Sequence, residues 1–347
     1  MTIEDITLPT IFCPFPSAVN PHREAVHKHT LAWARRIGLV KDETAIARLR
    51  NTKLDSLIAR AYPRAARDPL AIITDWAAWV FLLDDECDEA EIGKRPERLA
   101  ALHVHCLEVL SGLGLENLRT PSRPRPDRPD VALIQSLYDL RGRMEALMSR
   151  AWMDRFAVSI AEYFEASVWE AKNRENVTWP DSATYTRMRP YAGAMYIVLD
   201  FIDLTEGDTL PLVVRKHPYV QRLMLITSNV VLWCNDLFSL PKERAHHDMH
   251  NLALILHHQE DIPLQAAVDR VARLIEREVK RFIALEGRLP SFGPTIDAVA
   301  QRFIAGLRDW MRGNLDWSYE SGRYRPTYAS APMNVPEPRA AGCGVNQ

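Results

Sequence analysis

Apolar residues recur at helical spacing through most of this chain, and the alternation that marks a half-buried strand is hard to find. Beyond Pro263, Val268, Val271, Leu274, Ile275, Val279 and Phe282 fall on one face of a 3.6-residue repeat, with Arg, Glu and Lys opposite. The Val- and Ile-rich runs at 195–204 and 223–234 lack both alternation and flanking hairpin turns. Proline, at 23 residues against 14 glycines, clusters between the periodic segments and punctuates them. Asp68-Pro69 reads as an N-cap with proline at the first helical position, opening a helix that runs to about Asp88. Asp261-Ile262-Pro263 reads as a similar start. Further helices are expected at 22–37, 44–60, 96–111, 131–149, 151–174, 180–189, 194–205, 217–243, 246–259 and 293–321. The fold class is all-α, with no internal repeat.

Length and charge narrow the function classes. Forty-three basic residues against 45 acidic ones in 347 give a formal charge of −2, without the basic excess that nucleic-acid phosphates demand. Cys13, Cys87, Cys106, Cys234 and Cys343 are odd in number and lack CxxC spacing, so neither a disulfide framework nor a zinc site is indicated. A reducing cytoplasmic location is the expectation. The opening MTIEDITLPTIFCPF lacks the basic start and apolar run of a signal peptide, and no stretch reaches ~18 uninterrupted apolar residues, so no transmembrane segment is expected. Residues Thr120 to Pro129 form the clearest non-helical stretch. Only 119 residues precede it, and the acidic motif there finds its chemical complement after it, so it reads as a surface loop. One domain over 1–327, with loop 120–130 internal, is expected, followed by a Pro-, Ala- and Gly-containing tail at 328–347.

Two oxygen-rich stretches stand apart. The first, Phe81-Leu-Leu-Asp84-Asp85-Glu86-Cys87-Asp88-Glu89, follows an apolar helix carrying Trp76 and Trp79. Asp84 and Asp88 are spaced i, i+4 and so project from one face. Carboxylates this crowded repel one another unless cations neutralise them, and Mg²⁺ prefers such oxygens. An acidic helix end in plain solvent is the other reading, although acids at a helix C-terminus are disfavoured by the macrodipole. The second stretch runs from Trp233 to Glu243. Asn235, Ser239 and Glu243 at i, i+4, i+8 drift only about 40° per step, so amide, hydroxyl and carboxylate form an oxygen stripe beside Lys242. Pro241 is expected to kink or end the regular turn. Both stretches end apolar helices, which suggests one shared mouth with greasy walls and a rim of metal ligands, suited to an apolar tail with an anionic head.

Here the sequence resembles a bacterial class I terpene synthase from about Phe12 to Tyr324. The resemblance is carried by Asp84-Asp85-x-x-Asp88, by the N-D-x-x-S-x-x-x-E pattern at Asn235, Asp236, Ser239 and Glu243, and by the Arg323-Tyr324 pair 80 residues later. Arg189, 46 residues before Asn235, falls where the family places a diphosphate-sensing arginine. Flanking pieces agree: Phe12-Cys-Pro-Phe-Pro16 with Asn20-Pro21, His250-Asn251-Leu252, and Gly313-Asn314-x-x-Trp317.

The resemblance implies a single-domain helical bundle around a central apolar cavity and ionisation-dependent cyclisation of a prenyl diphosphate with three Mg²⁺ ions. It implies that Asp84, with Asp88 assisting, and Asn235, Ser239 and Glu243 are the metal ligands. Arg189, Lys242, Arg323 and Tyr324 would donate to the diphosphate, and Asp85 would hydrogen-bond Arg189. Gly193, four residues beyond the sensor, would offer its carbonyl near the carbocation, while Ala192 departs from the polar residue frequent at the intervening position. Pro190 and Gly193 are expected to break the helix there. Helical offsets place Ala77, Val80 and Phe81 near the face of Asp84, and Val231 and Leu232 near that of Asn235. Trp310 and Trp317 are candidate cavity aromatics.

Farnesyl diphosphate is the favoured substrate, giving a sesquiterpene, with geranylgeranyl diphosphate second and geranyl diphosphate third. A chain-elongating prenyltransferase usually carries a second aspartate-rich motif where this chain has the Asn/Ser/Glu stripe. A noncatalytic isoprenoid-binding helical protein would need no metal set. Monomer and homodimer are both compatible with the sequence.

Overall fold

The computed structural model of the chain describes residues 6–89, 95–112, 131–207 and 209–321, with the side chains of 84–89 and 131 outside that description. Among the described residues there is no strand, and the helices are α1 (Arg23–Ile37), α2 (Glu43–Asn51), α3 (Leu54–Ala61), α4 (Arg67–Glu89), α5 (Pro96–Ser111), α6 (Val131–Glu145), α7 (Arg150–Glu175), α8 (Ser182–Ala192), α9 (Met195–Glu206), α10 (Leu212–Arg215), α11 (Pro218–Ala245), α12 (Leu252–Glu260), α13 (Leu264–Glu286) and α14 (Pro294–Glu320). Local chemistry sets many of their ends. Asp42, Ser149 and Asp181 accept backbone N–H groups at the starts of α2, α7 and α8, and Gly38 and Gly112 close α1 and α5 in the left-handed region.

Helix α9 is the hub. It packs against α4, α7, α8, α11 and α14, and it buries Met195, Ile197, Leu199, Phe201, Ile202 and Leu204. Trp76 of α4 meets Phe156 of α7 and Phe201 of α9 edge-on, at centroid distances of 5.1 and 6.0 Å. Helix α11 is long and apolar enough to cross a membrane, yet 89% of its most hydropathic 18-residue window is buried in the protein, as in a core helix. Against it lie α13 and α14. Gly313 lets α14 approach α3: a Cβ there would stand 2.7 Å from the Arg60 carbonyl carbon and 2.9 Å from the Ala61 nitrogen.

The segment before α1 straps across these helices. Phe15 packs edge-on against Phe282 of α13 at 5.8 Å, and Arg312 of α14 donates to the Cys13 carbonyl. Buried Asn20 donates to the carbonyls of Tyr62 and Ala65. The Phe12–Pro16 and Asn20-Pro21 pieces therefore act in packing.

Several expected boundaries move. The single helix at 44–60 is two, because Lys53 adopts φ 52° between α2 and α3. The carbonyls of Thr52 and Lys53 at that junction receive the Trp317 indole N–H at 3.2 and 3.1 Å. Neither internal proline ends its helix: α8 continues past Pro190 to Ala192, and α11 continues past Pro241 to Ala245. The α8–α9 break falls at Gly193-Ala194, and Ala194, not the glycine, takes the positive φ of 57°. Asp261 closes α12 in the left-handed region instead of capping α13, whose N-cap is Pro263. Residues 246–251 precede α12, which begins only at Leu252. Helix α4 begins at Arg67, with Asp68 in its first turn. The 120–130 loop and the 328–347 tail lie outside the described residues.

Candidate active site

The 28-residue helix α11 carries Asn235, Ser239 and Glu243 one turn apart near its C-terminal end. Ser239 spends its proton on the Asn235 carbonyl at 2.7 Å, so its hydroxyl oxygen faces the stripe as an acceptor. Amide, hydroxyl and carboxylate oxygens on one face, without sulfur or imidazole, suit a hard divalent cation. Lys242 is exposed beside them.

Asp236, wholly buried behind this face, organises the surroundings. Its Oδ1 accepts Arg189 Nη2 at 2.7 Å and Nε at 3.1 Å. Its Oδ2 accepts the Leu252 backbone N–H at 3.0 Å, and the Tyr185 hydroxyl shares its proton between this oxygen and the His250 carbonyl, each 2.9 Å away. Arg189 also donates from Nη2 to Asn235 Oδ1 at 3.0 Å. The guanidinium is thus already docked on the stripe, reached from α8 by its position one turn before the helix end.

Burial and charge act together here. Burial works against the Arg189 charge, but Asp236, Tyr185, Glu170 and Glu243 outweigh it and raise the guanidinium well above its usual value. Asp236 is pushed up by burial, against the pull of Arg189 and its hydrogen-bond donors. Burial, then the Asp236 charge, pushes Glu243 up to about 7, while Arg189 and the Asn251 amide pull it down. Two neighbouring carboxyls and one arginine leave this patch short of positive charge, which a bound cation would supply.

The wall near the stripe is close-packed. A Cβ on Gly193 would lie 2.3 Å from Leu232 Cδ2 and 2.8 Å from Cδ1. Gly193 has φ −85°, so what this position requires is space and not an unusual dihedral. Gly193 lies one turn after Arg189 and Leu232 one turn before Asn235, so α8 and α11 cross antiparallel and this contact sits one turn deeper than the Arg189–Asn235 bond. Val231 is buried as well, and its carbonyl accepts the Asn314 amide at 3.2 Å. On α4, Ala77, Val80 and Phe81 are half-buried while Trp76, Ala78 and Trp79 are closed off, which marks one partly open face leading towards position 84. The side chains of Asp84, Asp85 and Asp88 lie outside the described residues, as do Arg323 and Tyr324. Trp310 is buried edge-on to Tyr62 at 5.5 Å, and Trp317 of α14 donates its indole N–H to the α2–α3 junction.

Three contributors escape the sequence reading. Asp236 enters it only as a motif letter, Tyr185 carries no signal, and Asn251 stands only inside a flanking triplet. The i, i+4 relation of Tyr185 and Arg189 is the one legible hint, since it places both on one face of α8.

Comparisons with known proteins place the chain in a family. Residues 75–281, a span holding both oxygen-rich stretches, match the family model described as terpene synthase family 2, C-terminal metal binding. The chain is 38% identical over 320 residues to the (+)-T-muurolol synthase of Roseiflexus castenholzii, a (2E,6E)-farnesyl diphosphate cyclizing protein, covering 92% of this chain and 94% of that one. It is 35% identical over 322 residues to the germacrene A synthase of Nostoc punctiforme, covering 93% and 96%. Among solved structures, wild-type cucumene synthase superposes with a TM-score of 0.73 at 27% identity, covering 89% of this chain and 99% of that one. An α-eudesmol synthase gives 0.78 at 21% identity and shows the shared fold alone, over 90% of this chain and 100% of that one. With the family model spanning more than half its length and these relatives nearly all of it, the chain belongs to the class I terpene synthases, all-α lyases that depend on a divalent metal.

Proposed function

We propose that the chain ionises farnesyl diphosphate and cyclises the resulting allylic cation to a sesquiterpene, releasing diphosphate, with three Mg²⁺ ions bound, in a domain spanning 1–327. One observation carries the site reading: the buried Asp236 carboxylate holds Arg189, which also donates to Asn235 at the head of the Asn235/Ser239/Glu243 stripe, so that an anion donor and a cation-binding face are adjacent. The farnesyl assignment is supported by the 38%-identical relative that cyclises that substrate.

Asn235, Ser239 and Glu243 would hold metal from α11, and Asp84 with Asp88 from α4. Bound Mg²⁺ supplies Lewis-acid neutralisation of the diphosphate, which makes it a leaving group. Arg189, Lys242, Arg323 and Tyr324 donate to its oxygens, arginine with a fork that matches two of them. For Arg189 this means leaving Asn235 Oδ1, with Asp85 as its partner once the site closes. The C–O electron pair departs with diphosphate, and the allylic cation faces the Gly193 carbonyl and the half-buried Ala77, Val80 and Phe81. The Phe81 ring offers its negative face to positive charge. Apolar walls that include Val231 and Leu232 exclude water while the rings form. The final cation then loses a proton to the released diphosphate, a main-chain carbonyl or water, or is captured by water with loss of a proton to give an alcohol.

The test is incubation with Mg²⁺ and, in parallel, geranyl, farnesyl or geranylgeranyl diphosphate, with products identified by mass spectrometry and NMR. A cyclic C15 product from farnesyl diphosphate is expected. A longer diphosphate would mean chain elongation, and unchanged substrate a binding protein. Asp84→Ala, Asn235→Ala and Glu243→Ala should each abolish turnover with the far-ultraviolet circular dichroism unchanged. Normal activity in all three refutes the metal assignment.

A further inference from the structure

We propose that Asn251 is a positioning residue for Glu243, holding its carboxylate in the orientation that metal binding uses. The side chain is wholly buried and all of its hydrogen-bonding groups are engaged. Its Oδ1 accepts the backbone N–H groups of Ala253 at 2.9 Å and Leu254 at 3.3 Å, which makes it the N-cap of α12. Its Nδ2 donates to the Asp236 carbonyl at 2.6 Å and to Glu243 Oε2 at 2.7 Å. Those two acceptors are seven residues, about two turns, apart on α11, so one amide spans much of the oxygen stripe.

The amide cannot be turned round. A flip would set its N–H groups against two backbone N–H donors and its oxygen against two acceptors. Capping alone does not require this residue, because aspartate or serine caps a helix as well as asparagine does. What they lack is the donor pair that faces α11. One N–H of that pair fixes Oε2 of Glu243 while the other holds the Asp236 carbonyl, which leaves Oε1 as the oxygen this amide does not occupy. It also ties the α12 start to the same turn whose Asp236 carboxylate holds Arg189 and accepts the Leu252 N–H, so the two halves of the site share one anchor.

The assignment rests on Glu243 being a metal ligand, and the experiment separates the two. Mn²⁺ binding to the full chain in the presence of inorganic diphosphate is followed by electron paramagnetic resonance, beside thermal melting. Asn251→Asp and Asn251→Ser both keep a capping oxygen and are expected to fold. Each should weaken Mn²⁺ binding by about 10–100-fold, aspartate the more because it sets an anion against Glu243. In a Glu243→Gln background the Asn251→Ser change should have little further effect. Intact wild-type binding that neither variant moves, or an equal loss in the Glu243→Gln background, overturns the assignment while leaving the metal site standing. So does failure of both variants to fold. Wild-type chain that binds no Mn²⁺ with diphosphate overturns the metal reading and this assignment with it.

Discussion

Replacing Gly193 with alanine isolates how tightly α8 and α11 meet beneath the proposed diphosphate site. At φ −85° and ψ 12° an alanine fits the backbone, so the cost is steric. The new Cβ would start 2.3 Å from Leu232 Cδ2, 2.8 Å from Cδ1 and 3.1 Å from Cγ, and Leu232 is only 6% exposed, with little room to yield. Overpacking of this kind costs about 1–3 kcal/mol. Loss of glycine's freedom in the unfolded chain returns about 0.4–1 kcal/mol. A net destabilisation of about 1–2 kcal/mol is expected. Leu232→Ala removes the colliding atoms and by itself costs about 2–5 kcal/mol. In the double variant the alanine at 193 should then be neutral or slightly stabilising, a coupling of about 1–3 kcal/mol. Urea denaturation of the four proteins, followed by circular dichroism, measures it, and product release in the same set should show turnover lost in Gly193→Ala and partly recovered in the double variant. A Gly193→Ala cost that is the same with leucine or alanine at 232 refutes the packing argument.

Two further outcomes follow from packing elsewhere. Gly313→Ala should cost about 3 kcal/mol, at the upper end for overpacking, because its Cβ would meet the backbone of Arg60 and Ala61 and no side-chain truncation can relieve it; a variant that melts with the wild type sinks this. His103 is buried, stacked on Phe164 at 3.9 Å, and burial pulls its pKa down from 6.5 to about 4. The unfolded chain therefore takes the proton first, so stability is lost as pH falls from about 6.5 to about 4, by at most about 3 kcal/mol. His103→Phe should flatten that slope in urea melts, and equal slopes in both proteins would show that the imidazole is not its source.

A buried charge group shows how much lies outside local patterns. Asp200 and Asp203 of α9 pair with Arg155 of α7 and Arg215 of α10, and Ser159 donates to Asp200 at 2.7 Å. None of these residues shares a periodic signature with its partners, and a helix over 194–205 is expected from its apolar content alone.

Helical periodicity, caps and the two oxygen-bearing stretches are readable from the chain itself because each is settled within a few consecutive residues. The 3.6-residue repeat puts Asn235, Ser239 and Glu243 on one face whatever surrounds them. Which groups these side chains meet is decided by the way the helices cross. Arg189 reaches Asp236 over 47 residues, and Asn251 reaches back to Glu243 over eight, across residues 246–251 that the sequence reads as the start of a helix and the structure leaves outside one. Gly193 is needed for the nearness of Leu232, which no dihedral preference encodes. Local backbone energetics act on neighbours in sequence, whereas burial, hydrogen-bond satisfaction and steric fit act on neighbours in space, and only the folded bundle supplies those.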